Sequence, residues 1–150
     1  MSQKFKIPIK IIELDSKSYH LLIEVHINKL AVNVIIDTGA SKTVFDKSLL
    51  GDKMRIVKHR NLEEIQSAGI VAGNIESDFA IAGSFKIGKL KLRDFPVVLI
   101  DMNGINQLYK KVTGKEVHGL LGSDFLLDFN AVINYEKAIL VLKKPAPGKR

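Results

Sequence analysis

Val34-Ile35-Ile36-Asp37-Thr38-Gly39-Ala40-Ser41 is an apolar run that ends abruptly on an acid, a hydroxyl, a glycine and two small residues. A carboxylate at the end of a β-branched run sits where water is scarce, and a lone anion there is costly. Such an acid either has partners or performs chemistry. Gly39 lets a second backbone or a ligand approach, because it has no side chain to clash. Thr38 and Ser41 add hydroxyls able to hold the carboxylate's surroundings in place. The stretch reads as a strand that delivers a candidate catalytic aspartate on a tight turn. Asp-Thr-Gly alone is also compatible with an ordinary turn, since Asp and Gly are common turn formers. The flanks decide between the two.

On the N-terminal side the chain alternates. Phe5, Ile7, Ile9 and Ile11 face one way and Lys4, Lys6, Pro8 and Lys10 the other, which predicts a half-buried strand over 4–12, with Pro8 at a sheet edge. Asp15 to Ser18 reads as a turn. Leu21, Ile23, Val25 and Ile27 form a second strand, Asn28-Lys29 a two-residue hairpin turn, and Leu30 to Ile36 a third strand that ends on Asp37.

On the C-terminal side, Val44, Phe45, Leu49 and Leu50 suggest a short helical turn closed by Gly51. Residues 53–65 read as strand and loop. Ser67 to Asn74 is small, uncharged and bracketed by Gly69 and Gly73, with Ile70, Val71 and Ala72 between them. It reads as the apolar tip of a hairpin, and one use for such a tip is a lid over a bound chain. Ile75 to Ile81 alternates as a strand, and Ser84 to Leu92 forms a hairpin about Gly88-Lys89. Gly83 to Lys89 approaches the phosphate-loop pattern but puts Leu90 where a hydroxyl is needed, and opens no helix. Phe95 to Ile100 is a continuous apolar run, as in a strand buried on both faces. Ile105, Leu108, Tyr109 and Val112 recur at helical spacing, with Gly114 as the stop. Leu120-Leu121-Gly122 precedes a short helix capped by Ser123 or Asp124, with Phe125, Leu126 and Phe129 facing inward. Residues 131–135 and 138–142 close the chain as a hairpin. Many short strands with few helices predict a β-barrel or sandwich.

At 150 residues the chain is most economically one domain over 1–143, followed by a basic, disordered tail over 144–150. It has no cysteine, which removes disulfides, thiolate metal sites and cysteine nucleophiles. No His-Glu-x-x-His or Gly-x-Ser-x-Gly pattern occurs, and no metal or cofactor is implied. The N-terminus is not a secretory apolar region and no run is long enough to span a bilayer, so a cytoplasmic protein is expected, with no membrane partner. The net charge is +7. Lys86, Lys89, Lys91 and Arg93 cluster on the second hairpin. This cluster is a candidate footprint for nucleic acid or an acidic peptide, but a solvated basic face that aids solubility is favoured over both, and no aromatic residues suited to base stacking are interleaved with the charges.

Taken together, several elements resemble the retropepsin-like aspartic proteases, and most closely their bacterial single-domain members. The elements are the hairpin leading into Ile35-Ile36-Asp37-Thr38-Gly39-Ala40-Ser41, the glycine-bracketed segment 69–73, Gly119-Leu120-Leu121-Gly122-Ser123-Asp124-Phe125-Leu126, and Ala131 to Glu136. The resemblance covers roughly residues 19–142. It implies a mainly β, acid-protease barrel with one or two short helices and one lobe per chain. It also implies an aspartic endopeptidase in which Asp37 is the catalytic acid. Thr38, Gly39, Ala40 and Ser41 would support its turn, with the Thr38 hydroxyl cross-linking two such turns. Gly69, Ile70, Val71, Ala72 and Gly73 would form the flap over a peptide or protein substrate, and Leu120, Leu121 and Gly122 the family's apolar-apolar-glycine element.

Two aspartates must meet in such a site, sharing one proton and activating a water. The chain carries a single Asp-Thr-Gly, so the second acid must come from another copy across a two-fold homodimer axis. Two competing readings are a non-catalytic peptide-binding or scaffolding protein of the same fold, and a nucleic-acid-binding β-domain resting on the basic charge. Ala40 stands where two-lobed relatives have a hydroxyl, which removes one hydrogen bond to the anion. Cleavage is therefore expected to peak well above about pH 3, where stomach enzymes work, and a pH–rate profile with its maximum below that value contradicts the assignment.

Overall fold

A computed structural model of the chain describes residues 3–60 and 77–144. The strands, in order, are β1 (Lys4–Pro8), β2 (Lys10–Asp15), β3 (Ser18–Ile27), β4 (Leu30–Ile36), β5 (Val44–Asp46), β6 (Arg55–Arg60), β7 (Ser77–Ile87), β8 (Leu90–Ile100), β9 (Gly119–Leu121), β10 (Val132–Asn134) and β11 (Ile139–Lys143). The helices are α1 (Lys47–Leu50), followed by a 3-10 turn over Gly51–Lys53, then α2 (Asn103–Thr113) and α3 (Ser123–Asp128). No helix among the described residues is long and apolar enough to cross a membrane.

Two sheets form. The smaller has the order β1-β11-β10 and the larger β2-β3-β4-β9-β5-β8-β7-β6. β3 also pairs with β7, through His26↔Lys86 and Ile27↔Phe85, so the larger sheet curls until β3, β4, β9, β5, β8 and β7 form a closed ring. The chain thus adopts the mainly β fold expected of it. Alternation explains the packing. In β3, Leu21, Ile23, Val25 and Ile27 turn inward, and in β7 and β8 Phe85, Ile87 and Leu90 do the same, all nearly fully buried. Phe85 stacks on Phe95 with ring centroids 4.3 Å apart, and Phe125 meets both edge-on. The Asn28-Lys29 turn has both residues in the left-handed region, at φ 46° and 71°, as tight hairpins require.

Three expectations are corrected. The alternating stretch 4–12 is two strands. It breaks at Ile9, which donates its backbone N–H to Ala138 O at 2.9 Å. β1 joins β11 in the small sheet while β2 joins β3 in the large one. Pro8 does lie on an edge strand. Second, Val44 and Phe45 belong to a strand, not a helical turn; they pair with β8 on one side and β9 on the other. Leu49 and Leu50 do lie in a short helical turn, α1, with Gly51 at its C-cap; Gly51 is right-handed, at φ −56°, and leads on into the 3-10 turn. Third, α3 has Gly122 at its N-cap position with no side-chain cap, because Asp124 turns its oxygens to Thr43 instead. The tip at 69–73 and the tail 145–150 lie outside the described residues.

The topology turns on β9. It runs parallel to β4, with Ile35↔Leu120 and Ile36↔Leu121, and antiparallel to β5, with Val44↔Leu120 and Phe45↔Gly119. It therefore fills the gap left where the chain loops from β4 to β5 through Asp37. The fit leaves no room. A Cβ on Gly119 would lie 2.8 Å from Val44 O and 2.9 Å from Val34 Cγ1, and one on Gly122 would lie 2.6 Å from Lys42 C and O. Gly104 in α2 has nothing within 4 Å of its would-be Cβ. Gly122→Ala and Gly119→Ala are expected to destabilise the fold by at least about 1–3 kcal/mol. Gly104→Ala is expected to stabilise it by about 0.4–1 kcal/mol. Urea unfolding midpoints of the three variants check both signs.

Candidate active site

β4 ends at Ile36 because the next residues are an acid, a hydroxyl and a glycine, and β9 receives the turn they make. Asp37 donates its backbone N–H to Leu121 O at 3.0 Å, and Ala40 N–H returns to Asp37 O at 3.2 Å. The carboxylate is oriented from within the turn: its Oδ1 accepts the Gly39 N–H at 3.0 Å. A Cβ on Gly39 would come within 3.3 Å of that same oxygen, so glycine leaves the carboxylate its space. Ser123 N–H donates to Ala40 O at 2.7 Å, so the start of α3 holds the far end of the turn.

The fold thus brings together two of the three groups predicted from sequence, the 37–41 turn and Leu120-Leu121-Gly122. The third, 69–73, lies outside the described residues. One expectation changes. Asp37 is only half-buried, and Thr38 and Gly39 are exposed. The dry surroundings expected of the acid are thus not supplied in full by the described residues.

Two polar braces around the turn were not foreseen. In the first, Thr43 is buried and fully used. Its N–H and hydroxyl donate to Asp124 Oδ2 and Oδ1 at 3.1 and 2.8 Å, and its Oγ1 accepts the Gly122 N–H at 3.1 Å. This ties β5 to the β9–α3 junction beside the Asp37 turn. In the second, Asp46 is 1% exposed. Its Oδ1 accepts Met102 N–H at 3.0 Å, Ser48 N–H at 3.1 Å and Ser48 Oγ–H at 2.7 Å, and its Oδ2 faces His118 Nδ1 at 2.9 Å. Asn106 of α2 joins them: Oδ1 accepts Val117 N–H at 2.7 Å, and Nδ2 stands 3.3 Å from the His118 ring nitrogens. His118 also extends the β4-β9-β5 ladder by one residue, its N–H going to Asn33 O and its C=O receiving Asp46 N–H, both at 2.9 Å. His118, adjacent in sequence to the apolar-glycine element, is thus a structural histidine turned towards Asp46. The signal for these braces was thin. Thr43 and Asp46 are ordinary residues in a polar stretch, and their partners lie some seventy to eighty positions away.

Among the described residues no group of His, Cys, Asp or Glu is placed to hold a metal ion. A family model described as aspartyl protease matches residues 23–125, from β3 to the first turn of α3. Solved structures with a similar fold include a retropepsin-like aspartic protease from Rickettsia conorii (18% identity, 96% of each chain covered, TM-score 0.54). The EIAV protease in complex with the inhibitor HBY-793 is also similar (18% identity, 80% of this chain and 97% of that one, TM-score 0.52). So is the retroviral protease-like domain of Ddi1 from Leishmania major (14% identity, 89% and 100%, TM-score 0.51). No curated protein matches the chain significantly.

The Asp46 brace carries a pH dependence. Burial pushes its carboxyl upward, but the hydrogen bonds from Met102, His118 and Ser48 outweigh that and hold it below 3.8. A carboxyl lowered by folding stabilises the fold fully above its unfolded value and loses that contribution as pH falls through its folded one. Asp46→Asn is therefore expected to be less stable than the parent at pH 7. The gap in thermal midpoint should shrink as pH drops below about 3.8; a gap constant down to pH ~2 would mean the charge is not what holds the brace.

Proposed function

This chain belongs to the aspartyl protease family, and on that premise we propose that it is a retropepsin-like endopeptidase whose active site is completed by a second copy of itself. The observation that carries the reading is the Asp37 turn: a half-buried carboxylate held by Gly39 on a turn tied to β9, with Thr38 and Gly39 exposed beside it. A half-site of this shape has one acid, and the sequence holds no second Asp-Thr-Gly to meet it. Two copies related by a two-fold axis bring the two Asp37 side chains face to face. Such a pair retains one proton between its carboxylates, because two adjacent anions repel. The unprotonated member takes a proton from water as that water attacks the peptide carbonyl. The protonated member gives its proton to the carbonyl oxygen; the tetrahedral adduct then collapses as the first carboxyl hands the water's proton to the leaving nitrogen and the second takes back a hydroxyl proton, which frees the amine and the acid. The exposed Thr38 hydroxyl is available to bond the opposite turn, and residues 69–73 serve as the flap over the bound peptide.

The surface has room for the second copy. Leu127, Val132 and Tyr135 are 60%, 57% and 66% exposed. Among the described residues, β10 has a pairing partner on one side only. The opposite edge, β1, carries Lys4, Lys6 and Pro8, which discourage strand addition, whereas Val132–Asn134 has no such guard. These features support pairing along the β10 edge.

Asp37→Asn is expected to lower cleavage of unfolded casein by about a thousandfold or more while the mass in solution stays that of a dimer. An excess of the variant mixed with parent protein should also suppress parental activity, because mixed dimers hold one carboxylate. Undiminished cleavage by the variant, or an active monomer, overturns the proposal.

A further inference from the structure

The basic cluster on the second hairpin is larger in the fold than in the sequence. Pairing sets Lys86 directly opposite Lys91, and Ser84 opposite Arg93. On its other side Lys86 faces His26 of β3. Directly paired residues project from the same face of a sheet, so His26, Lys86 and Lys91 form one row across three strands, about 4.8 Å apart from strand to strand. Arg93 follows Lys91 on that face, two residues along β8, and Lys29 joins from the neighbouring turn. His26, Lys29, Ser84, Lys86, Lys91 and Arg93 all line one open hollow of about 430 Å³. A second hollow, of about 340 Å³, shares His26 and Lys86, and adds Lys10 together with Glu24.

Two features set this row apart from a merely solvated face. Like charges directly opposite one another in a sheet are destabilising, and Lys86↔Lys91 is such a pair. Little relief is built in: none of the ion pairs Lys47–Asp78, Lys110–Glu116 and His118–Asp46 involves Lys86, Lys91 or Arg93, and the carboxylate that lines these hollows is Glu24, in the second one. The Lys86–Lys91 repulsion is thus relieved by no ion pair within bonding distance among the described residues, which is the condition under which an external anion is attracted.

We propose that this face is a docking site for an acidic segment of a protein partner, with His26, Lys86, Lys91 and Arg93 receiving its Asp and Glu side chains. An extended peptide presents alternate side chains about 6.7 Å apart, which is the repeat from Lys91 to Arg93 along β8. Nucleic acid is the poorer match: the aromatic residue of the hollow, Phe85, is 1% exposed and offers no ring for a base to stack on. The site is remote from Asp37. His26 pairs with Ala31, six residues before Asp37 along the chain and about 20 Å away at strand spacing. The docking site does not depend on the peptidase reading, and it is tested without cleavage.

The experiment uses the full-length Asp37→Asn protein and a fluorescein-labelled octaglutamate peptide, read by anisotropy. Binding is expected to weaken between about 50 and 200 mM salt. It should weaken about tenfold or more in Lys86→Gln/Lys91→Gln/Arg93→Gln, and by less than about twofold in Lys110→Gln/Lys111→Gln, on α2, which lines neither hollow. The thermal midpoint of the triple variant should equal or exceed the parent's, because the Lys86–Lys91 repulsion is gone. Three outcomes overturn the proposal: no binding of octaglutamate by the parent, equal binding by the triple variant, or tighter binding of an oligothymidine of matched charge.

Discussion

The structure depends on one steric constraint. A three-residue strand, β9, must enter a slot one strand wide between β4 and β5. Its hydrogen bonds run parallel on one side and antiparallel on the other, and both bounding glycines sit where any Cβ would overlap backbone. The slot exists because the chain leaves β4 through Asp37 and does not pair β5 directly with β4. Filling it fixes the floor of the Asp37 turn through Leu121 O. The requirement for glycine at 119 and 122 and the position of the acid are therefore one fact seen from two sides.

Polar groups brace that insertion on both flanks. Thr43 and Asp124 bond across the β5–α3 junction, and Asp46, His118 and Asn106 bond across the entrance to β9. A buried carboxylate such as Asp46 is tolerable only when its lone pairs are occupied, and here both oxygens are. The brace also accounts for α2. The helix buries Asn106 and Tyr109, while Ile105, Leu108 and Val112 are 55%, 65% and 52% exposed. Its contribution to the site region is an amide that receives Val117 N–H, more than a wide apolar face.

Much of this was legible in the residues. β3, β4 and the hairpin about Gly88 follow from period-two alternation and turn chemistry, and α2 follows from its spacing and from Gly114, which takes a left-handed φ of 77° as a helix stop. The Asp37 turn and Leu120-Leu121-Gly122 were legible as motifs, and the fold joins them. What alternation could not reveal was the break at Ile9, because the inward-outward pattern runs on unbroken through Phe5, Ile7 and Ile9 while the partner strand changes. Val44-Phe45 was misread because two adjacent apolar residues fit a buried strand as well as a helical turn. The Thr43–Asp124 and Asp46–His118 pairs were illegible for a different reason: each partner is ordinary by itself, and only the closed ring brings them within bonding distance.

The threading of β9 also bears on the order of assembly. Its contacts join Ile36 to Leu121 and Val44 to Leu120, segments far apart along the chain, and such closures carry a large entropic cost before any bond rewards them. The hairpin arms can zip up locally, but the acid's cradle comes into being only when the C-terminal third arrives. A partly folded or still-growing polypeptide therefore has its Asp-Thr-Gly in hand with nothing to hold it. The same threading that shapes the turn postpones it to the end of folding.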